Sequence, residues 1–218
     1  MFRDRHHAGQ VLAAALKKLK MHDPVVLALP RGGVPVAAEI AETLHAPLDL
    51  AIVRKIGAPD NPELAVAAIV DGDPPHVVVN RDIVEALRLD ETELAIMAER
   101  ERPELERRRR VYLGGRRREP IAGTTVILVD DGAATGASMR AVIHAAKTLS
   151  ASKILVALPV APIETVHEFA REVDQVICIE QPRYFRAIGD HYLDFRQLSD
   201  EDVIASLQQA SRPQPNSL

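Results

Sequence analysis

The chain has one cysteine, Cys178, no tryptophan and only seven aromatic residues in 218. A single thiol cannot build a disulfide framework, so a small cross-linked secreted fold is excluded and a reducing compartment is expected. No apolar run approaches the roughly 20 residues that a bilayer-spanning helix needs. Residues 1–7 are charged and polar rather than signal-like. A cytoplasmic location with no membrane partner is the expectation. With 27 basic and 31 acidic residues, the net charge of −4 gives no global attraction to nucleic acid. Several catalytic signatures are also missing. No Gly-Lys-Ser/Thr closes a glycine loop, no G-x-G-x-x-G follows a strand, and no G-x-S-x-G elbow occurs. His6 and His7 are adjacent, with no acidic or cysteine partner at metal-binding spacing.

What is present is an ordinary mixture, 47% apolar and 27% charged, at a length that can fill a large core. Helical spacing predicts a first helix over 11–19. Short apolar runs predict strands at 25–29, 48–53, 64–70, 76–80, 124–129, 153–160 and 173–179. Helices are predicted over 34–44, 82–112 (with Pro103 marking a kink or break), 137–149, 163–171 and 199–210. Strands apolar on both faces, alternating with helices, imply a parallel sheet covered on both sides. Residues 1–218 read as one domain with a helical insertion at 82–120 and a frayed tail at 211–218.

The most informative stretch is VILVDDGAATGAS, Val126 to Ser138. Four branched apolar residues run into two acids at a strand's carboxyl end, where α/β sheets bind ligands. Gly132, Ala133, Ala134, Gly136 and Ala137 keep side chains small, so backbone amides near the next helix start can meet phosphate oxygens. Thr135 and Ser138 add hydroxyls. Two acids beside a phosphate nest need something between them. A sugar ring fits, its hydroxyls donating to Asp130 and Asp131 while its phosphate meets the amides. A divalent cation would offset the remaining negative charge.

This stretch resembles the phosphoribosyl-diphosphate signature of type I phosphoribosyltransferases: apolar strand, two acids, short loop, Thr-Gly. Gly132 departs from the pattern, since the family often has a larger apolar residue there. The resemblance covers most of residues 25–196. It implies an α/β fold: a type I phosphoribosyltransferase-like parallel sheet flanked by helices, with a small hood at 180–198. It also implies transfer of a phosphoribosyl group from 5-phosphoribosyl 1-diphosphate (PRPP) to a nitrogenous acceptor, most simply a purine-like base. Mg²⁺ would be the cofactor, held by Asp130 and Asp131 directly or through water, and the protein would form a homodimer.

The same resemblance directs attention to three further segments. In ALPRGGVPVA (28–37), Arg31 offers a fork of donors, and Gly32 and Gly33 allow close backbone approach to a diphosphate. In VRKIGAPDNPELAVAAI (53–69), Arg54 and Lys55 could reach the diphosphate from a lid that Glu63 helps to order; a simple exposed hairpin is the other reading. In RYFRAIGDHYLDF (183–195), four of the seven aromatics gather. Tyr184, Phe185, Ile188, Gly189 and Asp194 stand where a base would be stacked and read at its edge, or the rings merely anchor the C-terminal segment. Asp194 or Asp131 would be the base if the acceptor must lose a proton.

Nine arginines lie between Arg100 and Arg118, interleaved with glutamates. They form either a solvated, internally paired helix or an anion-binding or subunit-contact arm, with RNA as one partner. The competing functional class is a regulator that senses PRPP or a nucleotide, or binds RNA, without turnover.

Overall fold

The computed structural model describes residues 1–72, 75–116 and 118–210. The expected frayed tail lies outside them. The element order is α1 (Arg5–Leu16), β1 (Pro24–Ala28), α2 (Gly33–Leu44), β2 (Leu48–Leu50), β3 (Val53–Ala58), β4 (Asn61–Val70) and β5 (His76–Val79). Then follow α3 (Arg81–Leu87), α4 (Glu91–Leu113), β6 (Thr125–Val129), α5 (Ala137–Thr148), β7 (Lys153–Val160), α6 (Ile163–Ala170), β8 (Gln175–Glu180), a 3₁₀ turn (Ile188–His191) and α7 (Asp200–Ala210).

Five strands form a parallel sheet in the order β2-β1-β6-β7-β8. In β6, alternate side chains enter different layers. Ile127 and Val129 pack with residues of α1, α2 and α7, whereas Val126 and Leu128 pack with residues of α5 and α6. All four are fully buried, which is why the strand reads as an unbroken apolar run. Each such side chain contributes about 1.5–3 kcal/mol of transfer free energy.

The remaining strands depart from the expected arrangement. The stretch 48–53 is not one strand: β2 ends at Leu50 in the parallel sheet, and β3 starts at Val53 in another. β3, β4 and β5 form a separate antiparallel sheet. Only Pro59 and Asp60 separate β3 from β4, too few for the crossover of a dozen or more residues that parallel neighbours require. The expected lid is therefore a paired hairpin, with Arg54 opposite Ile69 and Lys55 opposite Ala68.

Two helices also differ from expectation. α1 starts at Arg5, where Asp4 accepts from the His7 amide at 2.8 Å and caps it. The 82–112 helix is two helices, broken at Arg88–Asp90 rather than at Pro103, which lies inside α4. Asp90 and Glu93 form a reciprocal capping box that restarts the chain. Among the described residues, no helix is long and apolar enough to cross a membrane.

Cys178 lies in β8, with its thiol donating to the Glu180 carbonyl at 3.2 Å. Burial pushes this thiol up to about 12. At pH 8 it is expected to react with a thiol reagent far more slowly than the unfolded chain does, because the thiolate is the reactive form. Equal labelling rates with and without denaturant would contradict this.

Candidate functional site

β1 and β6 are parallel neighbours with Ala28 opposite Val129, so the loops leaving them emerge side by side at the carboxyl edge of the sheet. The Leu29 amide donates to the Val129 carbonyl at 2.8 Å, and the Gly33 amide to the Leu29 carbonyl at 3.0 Å. The Pro30–Arg31 peptide bond is cis. This loop is pressed onto the acid pair: a Cβ at Gly32 would sit 2.1 Å from Asp131 Oδ2, and one at Gly33 2.9 Å from Asp130 Cα. Any side chain at position 32 would have to displace the Asp131 carboxylate. The structure thus brings Arg31, Gly32 and Gly33 beside Asp130 and Asp131. The Arg31 guanidinium leans toward Asp200 of α7, at 3.7 Å.

The two acids sit in different surroundings. Asp131 is buried, and its Oδ2 accepts from Arg5 Nε at 2.7 Å. The Tyr192 hydroxyl donates to the Asp131 backbone carbonyl at 2.6 Å. Asp130 accepts only from the neighbouring Asp131 amide among the described hydrogen bonds, at 2.8 Å. Burial, and then the charge of Asp131, push the Asp130 carboxyl well above the usual carboxylate range. Asp131 is also raised by burial, against the opposing pull of Arg5. Sequence reasoning missed Arg5 and the tie made by Tyr192. One signal for Arg5 was legible: it shares the inward stripe of α1 with Ala8, Leu12 and Leu16, where a charge needs a partner.

The small-residue loop is held at several points. The Ala133 amide donates to the Val160 carbonyl at 3.0 Å, and Thr165 Oγ1 to the Ala134 carbonyl at 2.8 Å. Arg140 donates to the Thr135 carbonyl at 2.8 Å and pairs with Glu168. Gly136 precedes α5 with φ +72°, and a Cβ there would meet the Phe169 ring at 2.4 Å, so both backbone and space require glycine. Gly132 has its own reason to depart from the family pattern, since a Cβ would lie 2.7 Å from Ile188 Cγ2. Ala134, Thr135 and Ser138 are exposed around the start of α5, whose first-turn amides have no intrahelical acceptors.

The hairpin cations divide. Successive side chains of a strand point to opposite faces. Arg54 is bound by Glu101 of α4, at 2.6 Å. Lys55 instead lines a cavity of about 540 Å³ between the hairpin sheet and α5, together with Ala137, Ser138, Arg81 and His144. The structure therefore places Lys55 beside the small-residue loop and does not bring Arg54 and Lys55 to one ligand. The side chains of Pro62 and Glu63 lie outside what is described.

The hood rings are largely engaged with protein. Phe185 stacks on His191 with centroids 5.9 Å apart, and Tyr192 packs on Phe2 and Phe195. Ile188 packs into this cluster. Asp194 accepts from the Arg196 amide at 3.1 Å, and Tyr184 is 95% exposed. Many of the clustered arginines are paired: Arg102 with Glu99, Arg107 and Arg108 with Glu104, Arg107 also with Asp200, and Arg118 with Asp49 and Asp71. These contacts favour the internally paired helix.

Among the described residues, no group of three or more His, Cys, Asp or Glu could hold a metal ion. The donor set is two adjacent carboxylates, one of them with its charge disfavoured by burial and by its neighbour. That chemistry fits a magnesium ion that draws most of its ligands from a bound phosphate ester and water.

A family model described as phosphoribosyl transferase domain matches residues 3–195. A Mycobacterium tuberculosis protein named "Putative phosphoribosyl transferase" is 42% identical over 212 residues, which are 97% of this chain and 47% of that protein. The chain thus spans about half the length of the curated relatives it matches. The crystal structure of TT1426 from Thermus thermophilus is similar at 41% identity with a TM-score of 0.86, covering 97% of this chain and 99% of that one.

Proposed function

The chain belongs to the phosphoribosyl transferase domain family, and on that premise we propose that it moves the 5-phosphoribosyl group of PRPP to a nitrogenous acceptor and releases diphosphate. The observation that carries this reading is the fit of the Gly32–Gly33 backbone against Asp130 and Asp131, with the Gly132–Ser138 loop leaving the same strand end. The loop amides and the hydroxyls of Thr135 and Ser138 bind the 5′-phosphate. Asp130 and Asp131 accept from the pentose hydroxyls. Arg31 and the Gly32–Gly33 backbone hold the diphosphate, and Lys55 approaches from the hairpin. Mg²⁺, when bound at the acid pair, makes the diphosphate a less basic leaving group.

As the C1–O bond lengthens, positive charge develops on the pentose, and the fixed carboxylates stabilise it. The acceptor nitrogen attacks the opposite face from beneath the hood segment, where Tyr184, Phe185, Ile188 and Asp194 are the candidate contacts. No covalent intermediate with the protein is needed, so orientation and preset charge supply most of the rate. Residues 1–218 act as one unit, with 82–120 an insertion, in a cytoplasmic homodimer.

The second reading is a sensor that binds PRPP without turnover. The packing of Phe185 on His191 and of Tyr192 on Phe2 and Phe195 favours it, since these rings already engage protein. Diphosphate release with Mg²⁺ across purines, pyrimidines, nicotinate-type acids and amine or guanidino acceptors separates the two. Release with one acceptor class is the expected result. Tight PRPP binding with no release from any acceptor would establish the sensor, and no binding would end both readings.

A further inference from the structure

Resting on the transferase reading, we propose that Arg5 is a positioning residue that fixes Asp131 between the N-terminal helix and the candidate diphosphate loop. Arg5 is the first residue of α1 and is 8% exposed. Three contacts define its guanidinium. Nε donates to Asp131 Oδ2 at 2.7 Å, Nη1 donates to the Arg196 carbonyl at 3.0 Å, and the Phe195 ring centroid lies 3.9 Å from Cζ. The Asp131 carboxylate also abuts Gly32, with no room for a Cβ between them. The acid is clasped between Arg5 and the loop that carries Arg31.

The same guanidinium reaches the hood. Phe195 and Arg196 follow Tyr192, whose hydroxyl holds the Asp131 carbonyl. One side chain therefore links α1, the pentose-binding turn and the hood. Among the described hydrogen bonds Arg5 reaches Asp131 and not Asp130, so the two acids divide the work: Asp130 meets the ligand, and Asp131 sets the spacing between the pentose turn and the diphosphate loop. A planar fork stacked on a ring suits this task; a lysine would keep the charge and lose both the second hydrogen bond and the stacking. Misplacing such a turn by about 1 Å is enough to lose on the order of 10²-fold.

The test is calorimetric binding of PRPP with Mg²⁺ to the wild-type protein, Arg5→Lys, Arg5→Met, Asp131→Asn and the Arg5→Lys/Asp131→Asn double variant. Binding is measured well below the melting temperature of each, so that lost stability alone does not alter the dissociation constant. PRPP binding is expected to weaken about tenfold or more in Arg5→Lys and further in Arg5→Met, with the double variant no weaker than the worse single one, because both act through one contact. Under turnover, the KM for PRPP is expected to rise in the Arg5 variants in step with the dissociation constant. Should Arg5→Met fail to fold, Arg5→Lys and the cycle decide the matter. Wild-type binding in the Arg5 variants, or additive losses in the cycle, would overturn the role of Arg5 while the site reading stands. A wild-type protein that takes up no PRPP would instead overturn the site reading, and this role with it.

Discussion

Asp130→Asn is expected to lower turnover by about 10²–10³-fold, the usual effect of removing one preset charge or hydrogen-bonding group at a reacting centre, and to leave the protein at least as stable as the wild type. Both effects come from one cause. Burial and the adjacent Asp131 disfavour a charge at Asp130, so asparagine relieves a repulsion in the unliganded fold while deleting the acceptor proposed for the pentose. The pH dependence follows in sign. A carboxyl whose folded pKa is raised binds its proton more tightly in the folded state than in the unfolded chain. Its contribution to stability is therefore full below the usual carboxylate range and lost as pH rises toward the folded value. The melting temperature of Asp130→Asn relative to the wild type is therefore expected to rise from acid to neutral pH in the unliganded proteins, a difference that isolates Asp130 from the carboxylates shifted in the opposite direction, such as Glu104 and Asp200. An asparagine variant with full turnover would remove Asp130 from the site.

Asp131→Asn should behave in the opposite way, with a loss of about 3–5 kcal/mol in stability, the usual consequence of breaking a buried ion pair from one side. Its partner Arg5 is as buried as the acid itself, at 8% against 7% exposed, and would keep a full charge facing a neutral amide. For a chain of this size each kcal/mol moves the melting temperature by about 2–4 °C, so a drop of roughly 6–20 °C is expected. Replacing both partners with apolar residues of similar volume should cost less than the single change, since no orphaned charge remains. A melting temperature for Asp131→Asn equal to that of Asp130→Asn would show that the pair does not stabilise the fold.

The contrast between these adjacent acids illustrates what was legible and what was not. The Asp-Asp pair, the small-residue loop and the two glycines of 32–33 stand out in the sequence because each needs a residue type that a plain turn does not. The β6 run and the α5 start were equally plain, from apolar continuity and from the glycine before the helix. Arg5 was missed because its partner lies 126 positions away, and periodicity carries no information about which charges meet. The helix breaks at 88–90 and not at Pro103 because the Asp90–Glu93 capping box is a stronger local signal than a proline in a long helix. The turn residues of 53–69 fit a lid and a strand pair alike, because pairing depends on the partner strand and not on the turn residues alone.

The parallel-sheet pattern, the strand that ends on two acids and the family likeness all follow from the order of residues along the chain, because each rests on local spacing and side-chain size. Tertiary structure alone decided that Arg54 turns to Glu101 while Lys55 faces α5, that Phe185, Tyr192 and Phe195 pack on protein while Tyr184 does not, and that one acid is clamped by Arg5 while its neighbour is not. Those outcomes depend on distances between segments remote in sequence, and charge and burial act through space.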